Sequence, residues 1–228
     1  MASPTNGIKA VVFDLDGTLV RYHGIDYESS WGAVAAAAGV SDRSRALLSE
    51  YLSRPEAYAE WVARDAALLA GVDVASVERL VLPAPYADGV REAVGELRGR
   101  YRLGILSSGV DLVADWVRRD LRLDFALSNR LHVCGGRFTG TAETCVKLWE
   151  KDAALRRVAV QQGLRLDQVC FVGDNVNDLP VLRIVALPVA ANPKDEQVAA
   201  AAAFVIQSFC DLPRLLAAWR PVGYSGST

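Results

Sequence analysis

Lysine is scarce in this 228-residue chain: of 25 basic residues only Lys9, Lys147, Lys151 and Lys194 are lysines. Any chemistry that needs a flexible ammonium therefore has four candidates. Positive charge as a whole is not in excess. The 27 acidic residues outnumber the basic ones, the formal net charge is −2 and the pI is about 5.8. A chain so balanced has no electrostatic footprint for a nucleic-acid backbone, and no such partner is expected. The four cysteines, Cys134, Cys145, Cys170 and Cys210, form no CxxC pair, so neither a zinc site nor a disulfide framework is expected. Small buried apolar roles suit most of them. No stretch reaches the roughly 20 apolar residues of a membrane helix. Residues 1–7 are polar and lack a basic segment followed by an apolar run, so the expectation is a cytoplasmic protein with no membrane partner. There is no internal repeat.

What the chain does have is alternation. Short apolar, β-branched runs at residues 8–15, 102–106, 168–172, 184–189 and 204–206 read as buried strands. Helix-length segments separate most of them, at 87–99 (with Asp88 as an N-cap), 110–121, 147–163 and 193–203. Buried strands alternating with helices predict an α/β fold, a doubly wound, Rossmann-like parallel sheet, with functional residues beyond the carboxyl ends of its strands. Residues 21–86 break the alternation and read as successive helices at 27–38, 43–52, 55–70 and 74–80. The expected organisation is a core from 1–20 and 87–220, an inserted helical cap at 21–86, and a disordered Gly/Ser-rich tail at 221–228. Residues 129–141 read as a hairpin around Gly135-Gly136.

Three strand ends carry chemistry. Asp14-Leu15-Asp16-Gly17-Thr18 places two carboxylates beside a glycine at the end of the first strand. Clustered carboxylates repel unless a cation or turn amides compensate them. Gly173-Asp174-Asn175-Val176-Asn177-Asp178 ends another strand with hard oxygen ligands of the kind that suit Mg²⁺. Ser107-Ser108-Gly109, between a strand and a helix, offers a hydroxyl and amides for an anion. Each alone also fits a polar turn or a helix cap. The first two strengthen one another, because two parallel strand ends can bring Asp14 and Asp174 to one metal.

These residues in this order resemble the haloacid dehalogenase superfamily, specifically its phosphoserine-phosphatase-like branch. The resemblance implies a phosphoric monoester hydrolase with Mg²⁺ as cofactor. Asp14 would be the nucleophile and Asp16 the general acid and base. Ser107 and Ser108 would hold phosphate, and Asp14, Asp174 and the backbone carbonyl of Asp16 would hold the metal, with Asn177 and Asp178 behind them. The family also has a phosphate-neutralising lysine before its last strands; spacing to Gly173 favours Lys151 over Lys147. The second aspartate, Asp16, separates phosphatases and phosphomutases from the dehalogenases. A phosphomutase and a catalytically silent binding protein are the more distant alternatives.

The substrate reads less directly. Phosphoserine phosphatases carry a glutamate for the substrate ammonium where this chain has His23, and an arginine for its carboxylate where this chain has Asp65. Both charges are missing or reversed. With Tyr58 and the aromatic cap residues, this predicts a different small phosphorylated metabolite as partner, a sugar phosphate or a phosphorylated natural product, with phosphoserine as the alternative. His23, Tyr58 and Asp65 are the candidate substrate contacts; Trp61, three residues from Tyr58, reads as cap packing, and His132 as a surface residue.

Overall fold

The computed structural model describes residues 7–220; the tail expected at 221–228 lies outside the described residues. Seven strands form one sheet: β1 (Ala10–Phe13), β2 (Arg102–Val110), β3 (Phe125–Cys134), β4 (Arg137–Glu143), β5 (Val169–Gly173), β6 (Leu187–Ala191) and β7 (Phe204–Ile206). Their order is β4-β3-β2-β1-β5-β6-β7, and only the β3–β4 pairing is antiparallel. This is the doubly wound α/β sheet that the alternation predicts.

Between β1 and β2 come α1 (Ser30–Ala37), α2 (Ser41–Tyr51), α3 (Tyr58–Leu68), α4 (Val74–Val81) and α5 (Val90–Leu97). Then follow α6 (Asp111–Asp120), α7 (Lys151–Gln161), α8 (Leu179–Leu182), α9 (Glu196–Ala201) and α10 (Leu212–Ala218). Side chains alternate across β1, so Val11 and Phe13 join one apolar cluster with α5, α6 and α10, while Val12 joins another with α7, α8 and α9. A strand buried on both faces has no polar face to display, which is why these runs are continuously apolar.

The chain leaves β1 in one direction to build β2 and β3, and in the other through β5 to β7. The order therefore reverses between β1 and β5, the place where the strand ends of such a sheet leave a crevice. The register, Phe13 beside Val172, puts the residues after Phe13 next to those after Val172.

Several boundaries differ from expectation for tertiary reasons. The first helix starts at Ser30, not 27, because Tyr27 and Glu28 take left-handed φ values of 56° and 52°. Glu28 is held there by Arg21 and Lys194, each at 3.1 Å. Asp88 is not an N-cap; its carboxylate accepts a hydrogen bond from Ser208 Oγ at 2.6 Å, and Gly89 takes the cap position. The α7 helix opens at Lys151, leaving Lys147 exposed before it and paired with Glu150 at 3.0 Å. The strand expected at 184–189 lies at Leu187–Ala191, since Ile184 still donates to the Val181 carbonyl. Of the cysteines only Cys170 is fully buried; Cys134 and Cys210 are exposed, and all four are free thiols.

The expected hairpin forms around Gly135 and Gly136, whose φ values are 57° and 76°, as a two-residue turn of this hand requires. It reaches to the helical segment: Gly71 donates to the Phe138 carbonyl at 2.8 Å and Val74 to the Gly136 carbonyl at 2.9 Å. Where the chain enters and leaves that segment, Arg21 donates to the Pro85 carbonyl and Ala87 to the Leu19 carbonyl. Among the described residues no helix is long and apolar enough to cross a membrane.

Candidate active site

Asp14 follows β1 directly and is 3% exposed. One carboxylate oxygen accepts from the Leu15 amide at 2.7 Å, and the other lies 2.8 Å from Lys151 Nζ. Lys151 is fully buried as the first residue of α7, and its ammonium also reaches Asp178 at 2.7 Å. Burial works against its charge, but Asp14 and Asp178 outweigh burial and hold the ammonium above the ordinary lysine value. Of the two lysines weighed from sequence, the structure brings Lys151 to Asp14 and leaves Lys147 outside.

The β5 end supplies the opposite wall. The Asp174 carboxylate accepts from Thr18 Oγ1 at 2.8 Å. Its other oxygen is buried and faces Lys194 Nζ at 3.2 Å, yet no donor meets it in hydrogen-bonding geometry. Asp178 is a brace: besides Lys151 it accepts from the amides of Asp174 and Asn175. Carboxylate oxygens of Asp14, Asp174 and Asp178 lie within 4.8 Å of one another. Burial, and then Asp14, raise the Asp174 carboxyl above its usual range. An acidic, all-oxygen cluster with an unsatisfied buried oxygen fits a hard divalent cation, because a cation removes both the repulsion and the unmet hydrogen-bonding demand.

Gly17 permits this geometry. Its φ is +80°, and a Cβ there would sit 2.5 Å from Asp174 Oδ2 and 2.8 Å from Lys194 Nζ. Asp16, one residue before it, has one oxygen buried without a partner and the other accepting from Ser30 Oγ at 2.8 Å. Desolvation, then the neighbouring Asp14 charge, push its carboxyl up to about 7, where a group can give and take a proton near neutrality.

Ser107 and Ser108 lie where β2 loses register with β3, between Leu106 and Val110. Ser107 is buried, and its hydroxyl accepts from the Gly109 amide at 3.1 Å. The Ser108 carbonyl gathers three donors: Trp31 Nε1 at 3.0 Å, the Tyr58 hydroxyl at 3.2 Å and Asn129 Nδ2 at 2.8 Å. Helices α1 and α3 are thereby tied directly to the phosphate-binding candidate.

Asp14, Asp16, Ser107, Ser108 and Asn177 line one cavity of about 270 Å³ together with Tyr58 and Asp65 of α3. His23 is not among its walls. The turn after β1 directs it outward, its side chain is 79% exposed and it lies 3.5 Å from Glu28, which corrects its expected role as a substrate contact. Trp61 lines the cavity as well as packing against Tyr51 and Tyr58. Arg64 is turned away to Glu50 and the Tyr51 hydroxyl.

Sequence reasoning missed four contributors. Thr18 and Ser30 position Asp174 and Asp16. Lys194, which follows the metal loop in sequence, faces Asp174. Asn129, fully buried, accepts from the amides of Cys145 and Val146 while donating to Tyr58 and Ser108. Thr18, within the nucleophile's own turn, was the one with a local signal.

The fold and this constellation define a hydrolase of one family. The chain belongs to the haloacid dehalogenase-like hydrolases, whose family model matches residues 11–183. It is a phosphoric monoester hydrolase of the phosphoserine-phosphatase-like kind. It is 28% identical to the phosphoserine phosphatase of Methanocaldococcus jannaschii over 80% of this chain and 84% of that protein. Identity to the Streptomyces coelicolor phosphoserine phosphatase is 33% over 82% of this chain, which spans 44% of that longer protein. Among solved structures, a phospho-aspartyl intermediate analogue of phosphoserine phosphatase superposes with a TM-score of 0.74 at 24% identity, covering 91% of this chain and 98% of that one. A substrate-bound phosphoserine phosphatase complex gives 0.72 at 25% identity, covering 92% and 97%.

Proposed function

We propose that this enzyme is a magnesium-dependent phosphatase that cleaves a small phosphate monoester through an aspartyl-phosphate on Asp14. The observation that carries this reading is the buried contact of Asp14 with Lys151 behind it, while Asp14 itself lines one cavity with Asp16 and Ser107. A carboxylate Oδ of Asp14 attacks phosphorus and the P–O bond to the alcohol breaks. Asp16, protonated because its carboxyl is raised to about 7, gives its proton to the leaving oxygen. The resulting Asp16 carboxylate then takes a proton from water, whose oxygen attacks phosphorus and releases Asp14. Lys151, Ser107 and the Ser108 amide offset the phosphoryl charge.

Mg²⁺ would be held by Asp14, Asp174 and the Asp16 carbonyl, with Asn177 and Asp178 supporting them. When bound, it screens the nucleophile from the phosphate dianion. Residues 1–20 and 87–220 form the catalytic core in this reading, and 21–86 a cap over it. The ties from Trp31 and Tyr58 to Ser108 support that division.

For the substrate, the relatives support phosphoserine better than the sugar phosphate that the sequence reading placed first. An intact Asp14 and Lys151 speak against a silent binding protein. Phosphate release from phosphoserine, sugar phosphates, nucleotides and p-nitrophenyl phosphate, with Mg²⁺ or EDTA, tests the proposal. Metal-dependent release that falls about 10⁴-fold or more in Asp14→Asn is expected; release that survives this substitution would overturn the mechanism.

A further inference from the structure

The cavity wall carries a buried carboxyl that the phosphoryl chemistry does not use. Asp65 is 8% exposed and lines the cavity from α3. Its carboxylate accepts from Ser44 Oγ at 2.9 Å, and among the described residues no basic side chain pairs with it. One turn earlier on the same helix, Trp61 Nε1 is buried, faces Asp65 and with Ser44 partly offsets its desolvation, without reaching full hydrogen-bonding geometry. Among the described residues Arg45 is the only basic one on the cavity wall, and it is paired with Asp26 at 3.0 Å where both are more than half exposed. The inner surface beyond the phosphate end is therefore aromatic and negative, with no free base to receive a carboxylate.

Burying a carboxylate without a counter-charge is unfavourable, and desolvation has pushed this one up to about 6. A ligand cation would supply the missing partner, and the Trp61 ring one turn away suits an ammonium. We propose that Asp65 is a specificity-determining residue that binds a substrate ammonium, so that the enzyme prefers phosphate monoesters of amines. This rests on the phosphatase reading of the same site.

The spacing adds a length requirement. Tyr58 touches the Ser108 carbonyl at the phosphate end, and Asp65 lies seven residues further along α3, about 10 Å by the helical rise. The amine then sits several bonds from phosphorus, as in an amino sugar phosphate, further than the two carbons of phosphoserine.

The test compares glucosamine 6-phosphate with glucose 6-phosphate, which differ by one amine, using wild type and Asp65→Asn, with phosphoserine and p-nitrophenyl phosphate alongside. Wild type should favour the amine ester by about 10- to 100-fold in kcat/KM, the range for a charged hydrogen bond. The preference should sit in KM, because Asp65 is remote from the reacting atoms. Asp65→Asn should abolish the preference between the two sugars, with p-nitrophenyl phosphate turnover by wild type as the check that the phosphatase chemistry is intact. Equal use of the two sugars by wild type, or a preference that persists in Asp65→Asn, overturns the inference and leaves the phosphatase reading standing. So does phosphoserine turnover that exceeds that of glucosamine 6-phosphate and is indifferent to Asp65→Asn. No turnover of any ester, p-nitrophenyl phosphate included, overturns the phosphatase reading instead. Calorimetric binding of the two sugars to Asp14→Asn then decides the ammonium site without turnover: equal affinities reject it, and tighter amine binding sustains it.

Discussion

Replacing Asp65 by asparagine should make the free protein more stable. The carboxyl rises from 3.8 in its ordinary state to about 6 in the folded chain, chiefly through desolvation. Because the folded group binds its proton more tightly than the unfolded one, its contribution is most favourable below about pH 4. It is lost as pH climbs through about 6. A shift of roughly two units at about 1.4 kcal/mol each amounts to about 3 kcal/mol at pH 8. Asparagine keeps an oxygen for the Ser44 hydroxyl and carries no charge to desolvate. Asp65→Asn should therefore exceed wild type by about 3 kcal/mol at pH 8, or roughly 6–12 °C in Tm for a chain of this size. At pH 4 the two should coincide. Urea unfolding of both proteins across pH 4–8, without ligand, measures this directly. An Asp65→Asn protein less stable than wild type at pH 8, or a gap independent of pH, would refute the reasoning, since either result means that the folded structure already compensates the charge. A residue that destabilises the free fold fits one whose partner arrives with the substrate.

Other outcomes follow from the same contacts. Lys151→Met leaves Asp14 and Asp178 buried without their counter-ion, so it should cost about 3–5 kcal/mol of stability, seen by calorimetry, and abolish phosphate release. Thr18→Val removes the donor to one Asp174 oxygen and should cost about 1–3 kcal/mol, read by urea unfolding in EDTA; an unchanged midpoint would count against that bond. Gly17→Ala forces a methyl into Asp174 and Lys194 at positive φ, so Mg²⁺-dependent activity should fall sharply in a steady-state assay while a distant surface variant is unaffected. Asn129→Ala strips two donors from the Ser108 carbonyl and the Tyr58 hydroxyl and one acceptor from the Cys145 and Val146 amides. It should lower both Tm and phosphate affinity, the latter followed by inorganic phosphate inhibition.

Much of the fold and of the candidate site is determined by the sequence alone. Strands buried on both faces must be continuously apolar, so β1, β2 and β5 are visible as runs, and the acidic residues after β1 and β5 stand out against them. The aspartates Asp14, Asp16 and Asp174 follow from that local pattern. Lys151 was separable from Lys147 only through the spacing of a family pattern; physically, the start of α7 decides it, by pointing one lysine inward and leaving the other in water. Tertiary structure alone decided the rest. Thr18 and Ser30 are ordinary polar residues until folding sets them against carboxylates. Asn129, 115 residues from Asp14 in the numbering, has no local signature at all. His23 and Asp65, equal candidates as substrate contacts from sequence, part for the same reason: a turn directs one to solvent, and a helix carries the other into a cavity. Local chemistry shows which side chains can react. Which of them share a low-dielectric space, and with what counter-charge, depends on contacts between distant segments, and that decides what this site can bind.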